Sequence, residues 1–354
     1  MAEYLIQSTT LDNIADAIRE KTGTTGMMTT AEMPDMIRSI ETGGGGGFPN
    51  GTEWTEPNIT SEYFYSATNA NGIWVAAGDF DGLYYSTDGM TWTQSNITSG
   101  GFYSVANANG IWVAGSNSTG LYYSTDGMTW YQSNITSGVF PSVTNANGIW
   151  VSCCSSIASV GLQYSTDGMT WTKGATGTFA SVANANGIWV AASYVGLYYS
   201  TDGMTWTKGT SGSYSFVANA NGIWVAGSNS TGLYYSTDGM TWTQSNITSE
   251  YFYSATNANG IWVAGSDING LYYSTDGMTW TQSNITSGGF YSATNANGIW
   301  VACNDFDGLY YSTDGMTWTQ SNITSGCFNS AANANGIWVA VGSGICYSIT
   351  WQPS

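Results

Sequence analysis

The chain has 354 residues, a formal net charge of −18 and no histidine; 8% of its residues are charged and 15% are aromatic. Five Lys and Arg in total cannot displace the counterions of a nucleic acid, so nucleic-acid binding is excluded and an anionic membrane surface is disfavoured. No run approaches the roughly 20 apolar residues of a membrane-spanning helix, and no Ser-His-Asp catalytic group can form without His.

The opening Met-Ala-Glu-Tyr-Leu-Ile-Gln lacks a basic start and a long apolar run, so no signal peptide is expected. Five cysteines (Cys153, Cys154, Cys303, Cys327 and Cys346), odd in number and irregularly spaced, suggest neither a disulfide framework nor a zinc site. Synthesis in a reducing cytoplasm fits this pattern.

Residues 1–42 read as a small helical unit. Ile14, Ala15, Ala17 and Ile18 share a face between Asp12 and Lys21, with Thr10 as N-cap and Gly23 as stop. A second helix is expected from Ala31 to Ile40, capped by Thr30, with Met33, Met36, Ile37 and Ile40 on its apolar side. Two such helices bury little surface alone, so they are expected to self-associate or to dock on a partner. Gly43 to Gly47 lie in a Gly-rich linker, residues 43–49, that acts as a flexible tether.

The segments Leu11 to Gly23 and Met33 to Ile40 resemble the start of tail and tail-fibre proteins from phages and prophages of Gram-positive gut bacteria. The resemblance covers about 35 residues and implies an anchoring role for residues 1–42 among phage tail proteins, with the virion tail as location.

Residues 50–354 are one module repeated. Asn-Ala-Asn-Gly-Ile-Trp-Val occurs eight times, starting at Asn69, Asn107, Asn145, Asn184, Asn219, Asn257, Asn295 and Asn333, about 38 residues apart. In the unit Phe290 to Asn322, strand a is expected at Phe290–Thr294 and strand b at Ile299–Ala302, joined by a type I′ turn at Asn297-Gly298. Strand c is expected at Leu309–Ser312 and strand d at Met316–Gln320, with a second tight hairpin at Asp314-Gly315. Four short strands per repeat predict an all-β fold, an eight-bladed β-propeller of four-stranded antiparallel blades. Glu53-Trp54-Thr55 matches strand d but precedes the first strand a. Ile345 to Ser348 matches strand c but lacks its hairpin. The N-terminal strand is therefore expected to complete the last blade and close the ring.

The motif Ser-Thr-Asp-Gly-Met-Thr-Trp recurs seven times, with Asp88, Asp126, Asp167, Asp202, Asp238, Asp276 and Asp314. It resembles the Asp-box hairpin of sialidase-like propellers, one residue shorter between Asp and Gly. The resemblance implies only a structural role for Ser312, Asp314, Gly315, Thr317, Trp318 and their equivalents: Asp bonding turn amides and Trp packing between blades. Sialidases grip the substrate carboxylate with three Arg, whereas the two Arg here, Arg19 and Arg38, both precede the array. Sialidase activity is rejected on that ground.

The copies differ mainly in their b–c loops and d–a connections, which strand alternation places on one face. Two readings stand: loops drift where insertions are tolerated, or a rigid frame presents a recognition face. The varied residues are rich in Tyr, Phe, Asp, Asn and Ser, which stack on sugars, bond hydroxyls and populate paratopes. Candidate ligand contacts are Tyr63, Asp79, Phe80, Asp81, Tyr194, Tyr251, Asp267, Asp305, Phe306 and Asp307. Two carboxylates per loop are too few to define a calcium site, and no metal or cofactor is expected. Asp79, Asp81, Asp305 and Asp307 leave a glycosidase carboxylate pair formally open, although nothing in the sequence raises a pKa there, and the chain is expected not to be an enzyme. Six Asn-Ile-Thr sequons, at Asn58, Asn96, Asn134, Asn246, Asn284 and Asn322, read as by-products of the repeat.

These readings converge on a phage tail-associated receptor-binding protein whose variable face recognises a host surface glycan or protein. A structural or decoration propeller without a ligand, and a bacterial lectin, are the alternatives. Near-identical repeats also allow homo-oligomers through strand exchange.

Overall fold

The computed structural model describes residues 51–55, 59 and 62–349. The expected helices, the glycine linker and Asn58 lie outside the described residues. Eight sheets of antiparallel strands form the blades of a propeller, seven of them four-stranded by main-chain pairing alone. In blade 7 strand a is Phe290–Ala296, b is Ile299–Asn304, c is Leu309–Ser312 and d is Thr319–Gln320. Strands a begin at Phe64, Phe102, Ser142, Phe179, Tyr214, Phe252, Phe290 and Phe328 in blades 1 to 8. Neighbouring strands a lie side by side around the axis, so a is innermost and d outermost.

The a–b turn follows from its residues. Asn297 has φ 52° and Gly298 φ 81°, the paired positive values of a type I′ turn, and all eight copies repeat them. Strand b is apolar on both sides because each side faces another blade. Trp300 and Ala302 pack with Val263 and Leu271 of blade 6, alongside Phe290, Ala293 and Trp318. Val301 and Cys303 turn the other way, against Phe328, Trp338 and Ala340 of blade 8. The core is thus eight seams between blades, each built from buried aromatic rings set among Val, Leu and Ala. A fully buried large apolar side chain adds about 1.5–3 kcal/mol, so these seams hold the ring together.

The c–d connection departs from the expected hairpin. Strand d is only Thr319–Gln320, and Thr313 to Trp318 form the connection. The cause is competition for amides. Ser312 Oγ accepts from the N–H groups of Asp314 and Gly315 and donates to Asp314 Oδ1 at 2.9 Å. Asp314 Oδ1 accepts from Met316 and Thr317 N–H, both at 2.8 Å. Trp318 Nε1 donates to Gly315 O, and the Gly315 Cα lies against the Trp300 indole, where a Cβ would come within 3.0 Å. These amides are used before a ladder can take them.

The Trp318 main chain is held from the preceding blade. Asn284 Oδ1 accepts from Trp318 N–H and Asn284 Nδ2 donates to Trp318 O, both at 2.8 Å. Asn96 clasps Trp130 in the same way, Asn134 clasps Trp171 and Asn246 clasps Trp280. The five Asn-Ile-Thr triplets whose Asn is among the described residues are therefore interblade clasps, not by-products of repetition. The junctions from blade 3 to 4 and from 4 to 5 lack the triplet. Strand d lengthens there to Thr172–Ala175 and Thr207–Ser211, and Trp206 and Trp242 are only half-buried.

The ring closes by the same chemistry. Thr55 and Tyr347 exchange main-chain hydrogen bonds of 2.7 and 2.9 Å. Gly51 N–H donates to Ser348 Oγ, Trp54 Nε1 to Gly51 O, and Asn322 clasps Trp54 with both amide atoms. Residues 51–55 supply blade 8 with the box glycine, the box tryptophan and a fourth strand.

Two predictions follow from the box and the clasp. Asn284→Ala removes both clasp bonds and is expected to lower unfolding stability by about 1–2 kcal/mol, read as a shifted denaturant midpoint with unchanged slope. The box carboxyls carry the second. Burial lifts the Asp238 carboxyl, but N–H donors of Thr241 and Met240 and the Thr241 and Ser236 hydroxyls outweigh it and hold it at about 2. Asp88, Asp126, Asp167, Asp202, Asp276 and Asp314 are lowered in the same sense. The folded state therefore favours the charged form. Its contribution is complete above the unfolded value of 3.8 and is lost as pH falls through the folded value, about 2 for Asp238. Melting temperature should fall steeply below about pH 4, and Asp238→Asn should flatten that fall while lowering stability at pH 7.

Candidate functional site

The b–c loops and d–a connections meet at one end of the ring. Single parallel bridges join Asp81 to Gly100, Thr119 to Gly138, Asn269 to Gly288 and Asp307 to Gly326. The same end carries a repeated irregularity. In seven blades the a–b register shifts at the second residue of strand a, for example between Phe64 and Ser66 and between Phe252 and Ser254. A bulge leaves one residue out of the ladder and re-aims its side chain. On the innermost strand it sets that side chain at the mouth of the central channel.

The bulged residues are Tyr65, Tyr103, Tyr253 and Tyr291 in blades 1, 2, 6 and 7, and Asn329 in blade 8. In blades 4 and 5 they are the small Ala180 and Ser215, and blade 3 has Pro141 and no bulge. The tyrosines stack edge-on in two runs. Tyr63, Tyr65 and Tyr103 have ring centroids 5.2 and 4.5 Å apart; Tyr251, Tyr253 and Tyr291 are 4.9 and 4.7 Å apart. Blade 8 links them. The Tyr63 hydroxyl donates to Asn329 Oδ1 at 3.1 Å and lies 2.9 Å from Cys327 Sγ.

Carboxylates back the rings. Tyr253 donates to Asp267 Oδ1 at 2.5 Å, and Gly289 N–H donates to Asp305 Oδ1 at 3.2 Å. Burial, reinforced by the Asp267 and Asp307 charges, raises the Asp305 carboxyl despite backbone donors at Gly289 and Asp305. This corrects the expectation that no carboxyl there is raised. Burial likewise pushes the Tyr63, Tyr65 and Tyr253 phenols well above their usual value; Asp79 adds to the effect at Tyr65, and the bond to Asp267 adds to it at Tyr253. Tyr251 is raised by burial, then by Tyr194, Asp267 and Tyr291. All these phenols are neutral donors at physiological pH.

The structure divides the ten candidates. Tyr63, Tyr251, Asp267 and Asp305 belong to the channel mouth, and Asp79 lies beside Tyr65. Phe80 and Phe306 are loop tips, 70% and 76% exposed, set apart from the ring stack, and Tyr194 is an exposed tip in blade 4. Asp81 and Asp307 use their main chains to pair with Gly100 and Gly326. Among the described residues no group of three or more His, Cys, Asp or Glu is arranged to hold a metal ion. Tyr65, Tyr103, Tyr253, Tyr291 and Asn329 were missed because they read as ordinary alternating strand residues. Glu62 was missed as well. It is buried, and its Oε1 accepts from Phe80 and Asp81 N–H at 2.8 and 3.1 Å. Blade 1 needs it because Gly78 stands where blade 7 has Asn304, whose side chain caps the Asp-Phe-Asp loop there.

No family model matches the chain, and no curated protein matches it. Solved structures share the fold. The computationally designed Ika8 protein superposes with a TM-score of 0.68 at 10% identity, over 85% of this chain and 100% of that one. YCF48 bound to D1 peptide gives 0.58 at 15%, over 86% and 98% of the two chains. BamB from Moraxella catarrhalis gives 0.60 at 11%, over 85% and 98%. At these identities the likeness concerns the fold alone.

Proposed function

We propose that the channel mouth is a recognition site for a surface glycan or protein, and that the chain is the receptor-binding part of a phage tail. The observation that carries the reading is the two tyrosine runs on blades 6 and 7 and on blades 1 and 2, with Asn329 of blade 8 between them, on a frame whose other end repeats almost without change. Half-exposed phenol rings offer flat apolar faces and a hydroxyl at little conformational cost, which suits sugar rings and peptide side chains alike. Asp79, Asp267 and Asp305 accept hydrogen bonds from hydroxyls or cationic groups. The net charge of −18 disfavours an anionic ligand. YCF48, a propeller of the same fold, has been solved with a peptide bound. The tail assignment rests on the resemblance in residues 11–40, which would anchor the propeller to other tail proteins.

We assign no catalysis to the site. Asp305 and Asp267 already hold Gly289 and Tyr253, which makes them positioning groups for the rings.

The test is binding of the full chain to a glycan array and to intact bacteria. Selective binding is expected, weakened about 5–30-fold by Tyr65→Ala or Tyr253→Ala, as for an aromatic hot spot. Phe80→Ala, at a loop tip, should weaken it less. A folded chain that binds nothing would support the decoration propeller instead.

A further inference from the structure

The repeat reveals a second site by what one blade lacks. The second residue of strand c is tyrosine in six blades: Tyr84, Tyr122, Tyr198, Tyr234, Tyr272 and Tyr310. Each ring stands edge-on to the first residue of strand a in its own blade, with centroids 5.1 to 5.4 Å apart. The hydroxyl reaches the b–c loop, as in Tyr122 to Thr119 Oγ1 at 3.3 Å and Tyr234 with Thr231 Oγ1 at 3.2 Å. Two blades have no tyrosine there, and they differ in what replaces it. In blade 3 the residue is Gln163, which donates to Val160 O, and the longer b–c loop packs Ile157 and Val160 into the same seam as Phe140. That space is refilled.

In blade 8 the residue is Cys346 and the b–c loop shrinks to Ser343-Gly344. Among the described residues no tyrosine ring stands on Phe328. A cavity of about 260 Å³ opens there, lined by Phe328, Cys346, Ile345, Ile59, Gly326 and Ser343 among others. Its walls are the counterparts of those around Tyr84: Phe328 for Phe64, Gly326 for Glu62, and the shortened b–c loop for the one that ends at Asp81. The cavity is partly open and its lining is more polar than apolar; its volume exceeds the roughly 150 Å³ that admits benzene in a closed apolar cavity.

We infer that this cavity binds a small para-substituted phenol, its ring edge-on to Phe328 and its hydroxyl on the Ser343 side, in the place that the chain's own tyrosines fill in six other blades. The binding is non-covalent and uses none of the channel-mouth tyrosines, so it stands apart from the function proposed above.

The probe is p-cresol, titrated into the full chain and followed by ligand-observed NMR and by melting temperature. Saturable binding is expected near millimolar Kd, given about eight non-hydrogen atoms at roughly 0.5 kcal/mol each. Cys346→Tyr supplies the missing ring, and should weaken p-cresol at least tenfold while raising the melting temperature. Ser343→Trp, at an exposed rim position, should block the site without entering the core. N-acetyltyrosinamide separates the sources of the phenol. Competition with p-cresol identifies a tyrosine side chain of another polypeptide, and its failure identifies a free phenol. The inference is overturned if p-cresol does not bind, or if it binds the two variants as well as the parent.

Discussion

The outer edge of each blade is the constraint on which the rest depends. Most strands d are two residues long, too short to hold the rim by ladder bonds. The rim is held instead by side chains on main-chain atoms: Ser and Asp within the box, and an Asn from the preceding blade on the box Trp. With those amides fixed, each tryptophan indole is delivered to the same place in the seam, and the blade angle repeats. The N-terminal residues 51–55 close the ring because they reproduce the serine and asparagine bonds of that set around Ser348 and Asn322, without the box Asp. Closure needs no unique interface, since the last seam is a copy of the others.

A frame built from identical seams concentrates difference elsewhere. The a–b turns and boxes leave no room for change at one end. At the other end the bulge in strand a gives seven of the blades one residue freed from the ladder, at the smallest radius of the ring. Tyr65 meets Tyr103 and Tyr253 meets Tyr291 across adjacent blades, so a few substitutions make a continuous surface. Four tyrosines at bulges, with Tyr63 and Tyr251 two residues ahead of two of them, line the mouth on four of the eight blades. The b–c loops at larger radius support this arrangement, and Glu62 standing in for a missing cap in blade 1 shows that their shape is held by specific bonds.

Much of this architecture was legible beforehand, for reasons of period. The spacing of Asn-Ala-Asn-Gly sets the blade count, the Asn-Gly pair sets the turn, and the stray Glu53-Trp54-Thr55 forecasts the closure. Three features were not legible because their residues carry a stronger misleading signal. Tyr65 and Tyr253 alternate as strand residues should, and only a register shift turns them to the channel. Asn284-Ile285-Thr286 spells a sequon, while its amide is engaged on both sides by the Trp318 main chain. Asp314-Gly315 spells a two-residue hairpin, but the carboxylate takes the amides that such a hairpin would leave for strand d. In each case a side-chain or register effect overrode a local pattern.

The ring is uneven in a way that bears on recognition. The two junctions without the Asn-Ile-Thr triplet flank blade 4, in the part of the ring whose bulge residues are small or absent. The tyrosines sit on blades joined by clasps at the 1–2, 5–6, 6–7 and 7–8 junctions. Few fixed contacts mean low local stability, so opening of the ring should begin beside blade 4 rather than under the rings. Aromatic side chains already held at fixed spacing lose little freedom when a ligand arrives, which favours affinity without added area. The clasps thus relate rim to mouth: bonds at the outer edge keep the inner tyrosines in register, and the two junctions without the triplet both join blades whose bulge residue is small or absent.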